Sequence, residues 1–155
     1  MNLKKTNKRI DYLVVHCTAT KENQHITVED VRKWHTNKGW SDIGYHYLIY
    51  LDGTIKKGRE DNKQGAHVKG YNKHSLGICY VGGVDKDLKA KDTRTEAQKE
   101  ALCYLLKELK EFYPNAEIKG HRDFSKDLNN NGVIEPFEWS KMCPCFDAIN
   151  EYDYI

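Results

Sequence analysis

Two imidazoles and a thiol stand out among the side chains that could do chemistry. His16 follows the apolar run Tyr12-Leu13-Val14-Val15, His121 follows Ile118-Lys119-Gly120, and Cys143 lies in Lys141-Met142-Cys143-Pro144-Cys145. Two nitrogens and a sulfur suit Zn²⁺, and three protein ligands leave the fourth tetrahedral position to water, the composition of a hydrolytic zinc site. No Cys-x-x-Cys or His-x-x-x-His pattern gathers these residues locally, so the fold has to do it. On residue type alone, Cys145 competes with Cys143.

The elements that would gather them follow from periodicity. Asp11 to His16 reads as a short apolar strand whose last residue emerges at a sheet edge. Thr27 can cap a helix to about Lys38, with Val28, Val31 and Trp34 or His35 at helical spacing and Gly39 as its stop. Tyr45 to Leu51 alternates, Asp52-Gly53 makes a tight turn, and Thr54 to Gly58 returns as the hairpin partner. Ser75 to Val81 is another strand, closed by Gly82-Gly83. Thr95 to Tyr113 is the strongest helix. Thr95 and Gln98 form a capping box, Ala101, Leu102, Leu105, Leu106, Leu109 and Phe112 share one apolar stripe, and Pro114 ends it. Ala116 to Gly120 returns as a strand, which puts both histidines at strand termini. The expected fold is a single α/β domain over residues 1–155, core about 10–150, with a central mixed sheet flanked by helices. Strand alternation turns His46 away from Tyr45, as a structural histidine like His35, with His25 and His74 at the surface.

Between His121 and Cys143 runs Asp127-Leu128-Asn129-Asn130-Asn131-Gly132-Val133-Ile134-Glu135-Pro136-Phe137-Glu138, which fits the calcium-loop pattern Asp-x-Asn-x-Asn-Gly-x₅-Glu. Asp127, Asn129, Asn131, the Val133 carbonyl and Glu138 would be the Ca²⁺ ligands, with Pro136 starting an exiting helix. Few carboxylates contribute, so such an ion would be structural and of modest affinity; the same residues also suit a plain Asn/Gly turn.

Several further words recur in order: Val15-His16-Cys17-Thr18-Ala19-Thr20, Trp40-Ser41-Asp42-Ile43-Gly44-Tyr45-His46-Tyr47, Gly65-Ala66-His67-Val68-Lys69-Gly70-Tyr71-Asn72, Gly77-Ile78-Cys79-Tyr80-Val81-Gly82-Gly83 and Cys143-Pro144-Cys145-Phe146-Asp147. From about Ile10 to Phe146 the chain resembles the zinc-dependent N-acetylmuramoyl-L-alanine amidases of the phage T7 lysozyme and peptidoglycan recognition protein type. The resemblance implies their fold, cleavage of the bond between N-acetylmuramic acid and L-alanine, and the ligand set His16, His121 and Cys143, since the phage pattern has its ligand immediately before the proline. It implies catalytic roles for Tyr45 and Lys141 and substrate contacts for His67 and Asn72. A phenol donor and an ammonium beside a metal would stabilise an oxyanion. Cys17 and Cys79 recur as a pair in the phage branch, and the insert at 127–138 departs from it.

Bulk properties agree. A chain of 155 residues buries about 68–70% of its unfolded surface, enough for one core. With 25 Lys and Arg against 23 Asp and Glu the net charge is +2, so nucleic acid is not an expected partner. Five cysteines and no secretory signal read as thiols, with Cys17, Cys79 and Cys103 packing as small hydrophobes. No apolar run reaches membrane-spanning length, and the basic N-terminus lacks an apolar stretch. The expectation is a monomer made in the cytoplasm that acts on bacterial peptidoglycan after release, as a phage or prophage endolysin, or after delivery as a secreted effector. A non-catalytic recognition module, or a lysin with an added regulatory protein-binding role, are the alternatives. The complete set of His16, Tyr45, His121, Lys141 and Cys143 argues against the first.

Overall fold

Strand β1 (Tyr12–Cys17) runs inside a five-stranded sheet in the computed structural model, which describes residues 1–155. It pairs in parallel with β5 (Ser75–Tyr80) on one side and β7 (Glu117–Gly120) on the other. β3 (Tyr47–Ile49) adds in parallel to β5, and β4 (Ile55–Lys57) turns back antiparallel to β3. The order β4-β3-β5-β1-β7 makes the sheet mixed. A separate ribbon pairs β2 (Thr20–Lys21) with β6 (Gly83–Val84). Three helices complete the fold: α1 (Val28–Asn37), α2 (Glu96–Phe112) and α3 (Ala148–Glu151). No helix is long and apolar enough to cross a membrane.

The pleat sorts β1 between two cores. Leu13, Val15 and Cys17 join Ile78 and Tyr80 of β5 and the α2 leucines 102, 105, 106 and 109 in the larger one. On the opposite face Val28 and Val31 of α1 pack with Leu48, Cys79 and Val81. His16 is in register with Cys79 and so shares the α1 face. The α2 capping box forms as its sequence predicts, with the Gln98 N–H donating to Thr95 Oγ1 and the Thr95 N–H to Gln98 Oε1, both at 3.0 Å. The Gln98 amide nitrogen also donates to the Ile49 and Val81 carbonyls at 3.2 and 2.9 Å, joining the helix start to the ends of two strands.

Three boundaries differ from the sequence reading. β1 extends through Cys17, so His16 is its penultimate residue. β3 begins at Tyr47, so Tyr45 and His46 precede it and strand alternation does not separate them: Tyr45 packs on His16, while His46 packs on His67. Pro136 opens only a single 3₁₀ turn, Pro136–Glu138, because no apolar face follows that could hold a longer helix.

His35 and His46 are buried connectors. His35 Nδ1 accepts the Gly44 N–H at 2.8 Å, and His46 Nδ1 accepts the Gly77 N–H at 3.0 Å, roles open only to an unprotonated nitrogen. Burial lowers both pKa values from 6.5 to about 4. The unfolded chain therefore takes up these protons before the folded one does. Stability should be full above about pH 6.5 and fall as the pH drops toward 4. Melting of the metal-free protein against pH measures this, and a flat profile between pH 7 and 4 would refute it.

Candidate metal centre and active-site cleft

Parallel pairing of β1 with β7 brings two histidines side by side. Val15 is in register with Gly120, so His16 and His121 leave neighbouring strands at the same level, with ring centroids 4.8 Å apart. Cys143 arrives from the loop beyond the insert. Its carbonyl accepts the Arg122 N–H at 2.9 Å and its Sγ accepts the Cys17 N–H at 3.2 Å. The ligand atoms of His16, His121 and Cys143 lie within 4.8 Å of one another, the only such group of three His, Cys, Asp or Glu residues in the molecule.

The donor set fits a tetrahedral zinc. Zn–S of about 2.3 Å and Zn–N of about 2.0–2.1 Å place sulfur and nitrogen about 3.6 Å apart at a tetrahedral centre; His16 Nδ1 and Cys143 Sγ are 3.8 Å apart. Burial holds His16 far below the ordinary histidine range, and burial followed by the charge of Lys141 lowers His121 to about 4. Both rings are thus neutral at pH 7, the state a metal requires. The neighbouring thiols are held protonated. A hydrogen bond to Cys143 raises Cys17 to about 12, and a hydrogen bond to Cys17 together with burial raises Cys145. Cys145 Sγ donates to the Gly83 carbonyl at 3.2 Å, so its proton is in use and Cys143 is the better ligand.

His121 and Cys143 line a cleft of about 490 Å³ whose walls include Trp34, Trp40, Tyr45, Lys141 and Met142, with His16 buried beneath them. Tyr45 is half-buried, its ring 5.1 Å from that of His16 and 5.5 Å from that of His35. Burial raises its phenol well above 10, so it is a donor at neutral pH. Lys141 is exposed on the cleft wall, and its charge reaches both histidines.

Of the two expected substrate contacts, His67 lies in the cleft wall and packs against His16, with Nδ1 2.8 Å from His16 Nε2 and Nε2 3.1 Å from Ser75 Oγ. Asn72 Oδ1 accepts the N–H groups of His67 and Val68, both at 2.8 Å, and shapes that loop. Both residues are occupied within the fold. Ser75 and Arg59 were not singled out in the sequence. Arg59 is buried and donates to the carbonyls of Asp42, Ile43 and Gln64, bracing the segment that carries Tyr45. A lone arginine outside any periodic run gives no signal of such a role.

The insert also differs from expectation. Asp127 accepts the Gly132 N–H at 2.7 Å, and Asn131 Oδ1 accepts the Val133 N–H at 2.9 Å, while Asn129 Oδ1 accepts that of Asn131 at 3.2 Å. Buried Glu138 accepts N–H groups from Leu128 and Asn129 through Oε1 and from Glu135 through Oε2. The Asp127, Asn129, Asn131 and Glu138 oxygens predicted as calcium ligands accept hydrogen bonds from the loop's own backbone. Calcium therefore finds no support in the geometry. Losing the Glu138 carboxylate leaves three part-buried N–H groups without their acceptor, at a cost of up to about 1–3 kcal/mol. Glu138→Ala should lower the melting temperature in calcium-free buffer; destabilisation only when calcium is present would make the loop an ion site after all.

The chain is similar to known proteins in sequence and fold. A profile of the family described as N-acetylmuramoyl-L-alanine amidase matches residues 6–138, which include His16, Tyr45 and His121 and stop short of Lys141 and Cys143. The endolysin of Klebsiella phage KP32 is 42% identical over 135 residues, covering 87% of this chain and 80% of its own. That of Escherichia phage T7 is 38% identical over 143 residues, covering 92% and 85%. Among solved structures, the endolysin and N-acetylmuramoyl-L-alanine amidase LysCS from Clostridium intestinale superposes with a TM-score of 0.66 at 30% identity, covering 89% of this chain and 88% of that one. Sequence and backbone agree over nearly the whole length, and the chain belongs to the N-acetylmuramoyl-L-alanine amidase family of enzymes.

Proposed function

We propose that the chain hydrolyses the amide bond between N-acetylmuramic acid and L-alanine in peptidoglycan, using a zinc ion held by His16 Nδ1, His121 and Cys143 Sγ. The observation that carries this reading is the convergence of two neutral imidazoles and one thiol, itself braced by a backbone N–H, at an open cleft whose wall holds His121 and Cys143. When bound, zinc supplies Lewis acidity to a water and to the scissile carbonyl. Tyr45 offers its O–H to the carbonyl oxygen as negative charge grows there, and the Lys141 ammonium supports the same charge. The departing L-alanine nitrogen takes up a proton as the C–N bond breaks, and Lys141 Nζ and Tyr45 Oη are the donors proposed for it. The polymer reaches the cleft once the enzyme has been released or delivered to the wall.

Digestion of purified peptidoglycan by protein carrying about one zinc per chain, followed by mass spectrometry, tests this. New free L-alanine amines without new reducing sugar ends, abolished by a chelator and restored by zinc, are expected. New reducing ends, or activity indifferent to the chelator, would overturn it.

A further inference from the structure

His67 is built into the fold with more care than a packing residue needs. Its ring is gripped between two glycines from separate segments. A Cβ on Gly77 would meet His67 Cγ at 2.7 Å and Nδ1 at 2.9 Å, and one on Gly65 would meet His67 Cδ2 at 2.7 Å. Only residues without side chains let the imidazole lie that close to the backbone. Asn72 fixes the main chain at His67 and Val68, as described above. Both ring nitrogens have partners, Nδ1 at His16 Nε2 and Nε2 at Ser75 Oγ, and all three residues are buried.

The direction of this chain of hydrogen bonds decides which nitrogen of His16 is free. A ligand nitrogen must present its lone pair, so His16 can bind through Nδ1 only if its proton sits on Nε2. His67 Nδ1 then accepts that proton's hydrogen bond, and His67 Nε2–H donates to Ser75 Oγ. We propose that His67 is a positioning residue for the metal centre, anchored by Ser75, which holds His16 in the Nε2–H tautomer and aims its Nδ1 at Cys143 and His121. Partners of this kind fix a ligating imidazole's tautomer and orientation, and removing them typically costs about 10–100-fold in metal affinity. No bond to substrate enters the argument, so the effect falls on metal binding first.

The inference rests on the zinc reading of the site, and the test keeps the two apart. Zinc dissociation constants are measured by competition with a chromophoric chelator for the wild type, His67→Phe, His67→Gln and Ser75→Ala, with the melting temperature of each metal-free protein recorded in parallel. His67→Phe keeps a ring in the glycine slot and removes the acceptor, and should bind zinc about 10–100-fold more weakly. His67→Gln restores an acceptor oxygen and should recover most of that loss. Ser75→Ala, one bond further away, should weaken binding by less than His67→Phe. If wild type binds no zinc, the zinc reading itself falls. If wild type binds and His67→Phe binds equally well, only the role of His67 falls. Equal weakening by Phe and Gln, tracking a lowered melting temperature, would also overturn it, by reducing His67 to packing. Should His67→Phe fail to fold, His67→Gln and Ser75→Ala decide: affinity falling with Ser75→Ala but kept by Gln supports the proposal, and any other pattern overturns it.

Discussion

Cys143→Ser should leave the protein without zinc and its wall hydrolysis at background, while Cys145→Ser keeps most of both. A serine hydroxyl stays protonated at neutral pH, so the substitution removes the single anionic, soft ligand and leaves two imidazoles. The backbone already holds this sulfur in place, since the Cys17 N–H donates to Cys143 Sγ at 3.2 Å. Cys145 differs in every respect that matters to a metal. Its Sγ lies 3.9 Å from that of Cys17, its proton is engaged by the Gly83 carbonyl, and its surroundings raise its pKa. Metal content after dialysis against a weak chelator, read beside peptidoglycan digestion, separates the two. A metal-free Cys145→Ser variant would transfer the ligand assignment to Cys145.

Tyr45→Phe and Lys141→Ala should each keep zinc and lower turnover by about 10²–10³-fold, the usual loss when one oxyanion donor is removed. The first substitution preserves the ring that packs against His16 and His35 and deletes only the O–H. The second acts at an exposed position, where truncation leaves no void. Both groups are assigned to charge that exists in the transition state, so kcat and kcat/KM should fall together with KM little changed. A variant with normal kcat loses its assigned role; one that also loses zinc was supporting the metal centre instead.

Much of this arrangement was legible in the chain. Local rules located β1, β5 and β7, and both ends of α2 followed from Thr95, Gln98 and Pro114. The metal trio was legible through residue type and family words rather than spacing, because sheet order alone brings His16 beside His121. What escaped was set by contacts with no linear signature. Tyr45 and His46 read as strand residues, yet the regular ladder with β5 begins at Tyr47 opposite Ile78, and both rings enter the same histidine cluster. His67 sat in a word suggesting the groove, and its burial depends on space left by Gly65 and Gly77. The insert stays open to both readings, because Asp and Asn oxygens at this spacing can bind calcium or accept the loop's own N–H groups.

The base of that insert has an engineering meaning. Ser125 Oγ accepts the Ser140 N–H at 3.0 Å, so the two ends are tied together before the chain departs and after it returns. Beyond this tie, the Arg122 guanidinium lies 3.7 Å over the Trp139 ring, and the Arg122 N–H holds the Cys143 carbonyl. Cys143, the proposed third ligand, is thus registered beside His121 by contacts at the base of the insert. Added length costs only about 0.6 kcal/mol per doubling once the ends are fixed. The exposed tip, Asn130 to Gly132, is therefore the part of the loop where added residues disturb the fold least.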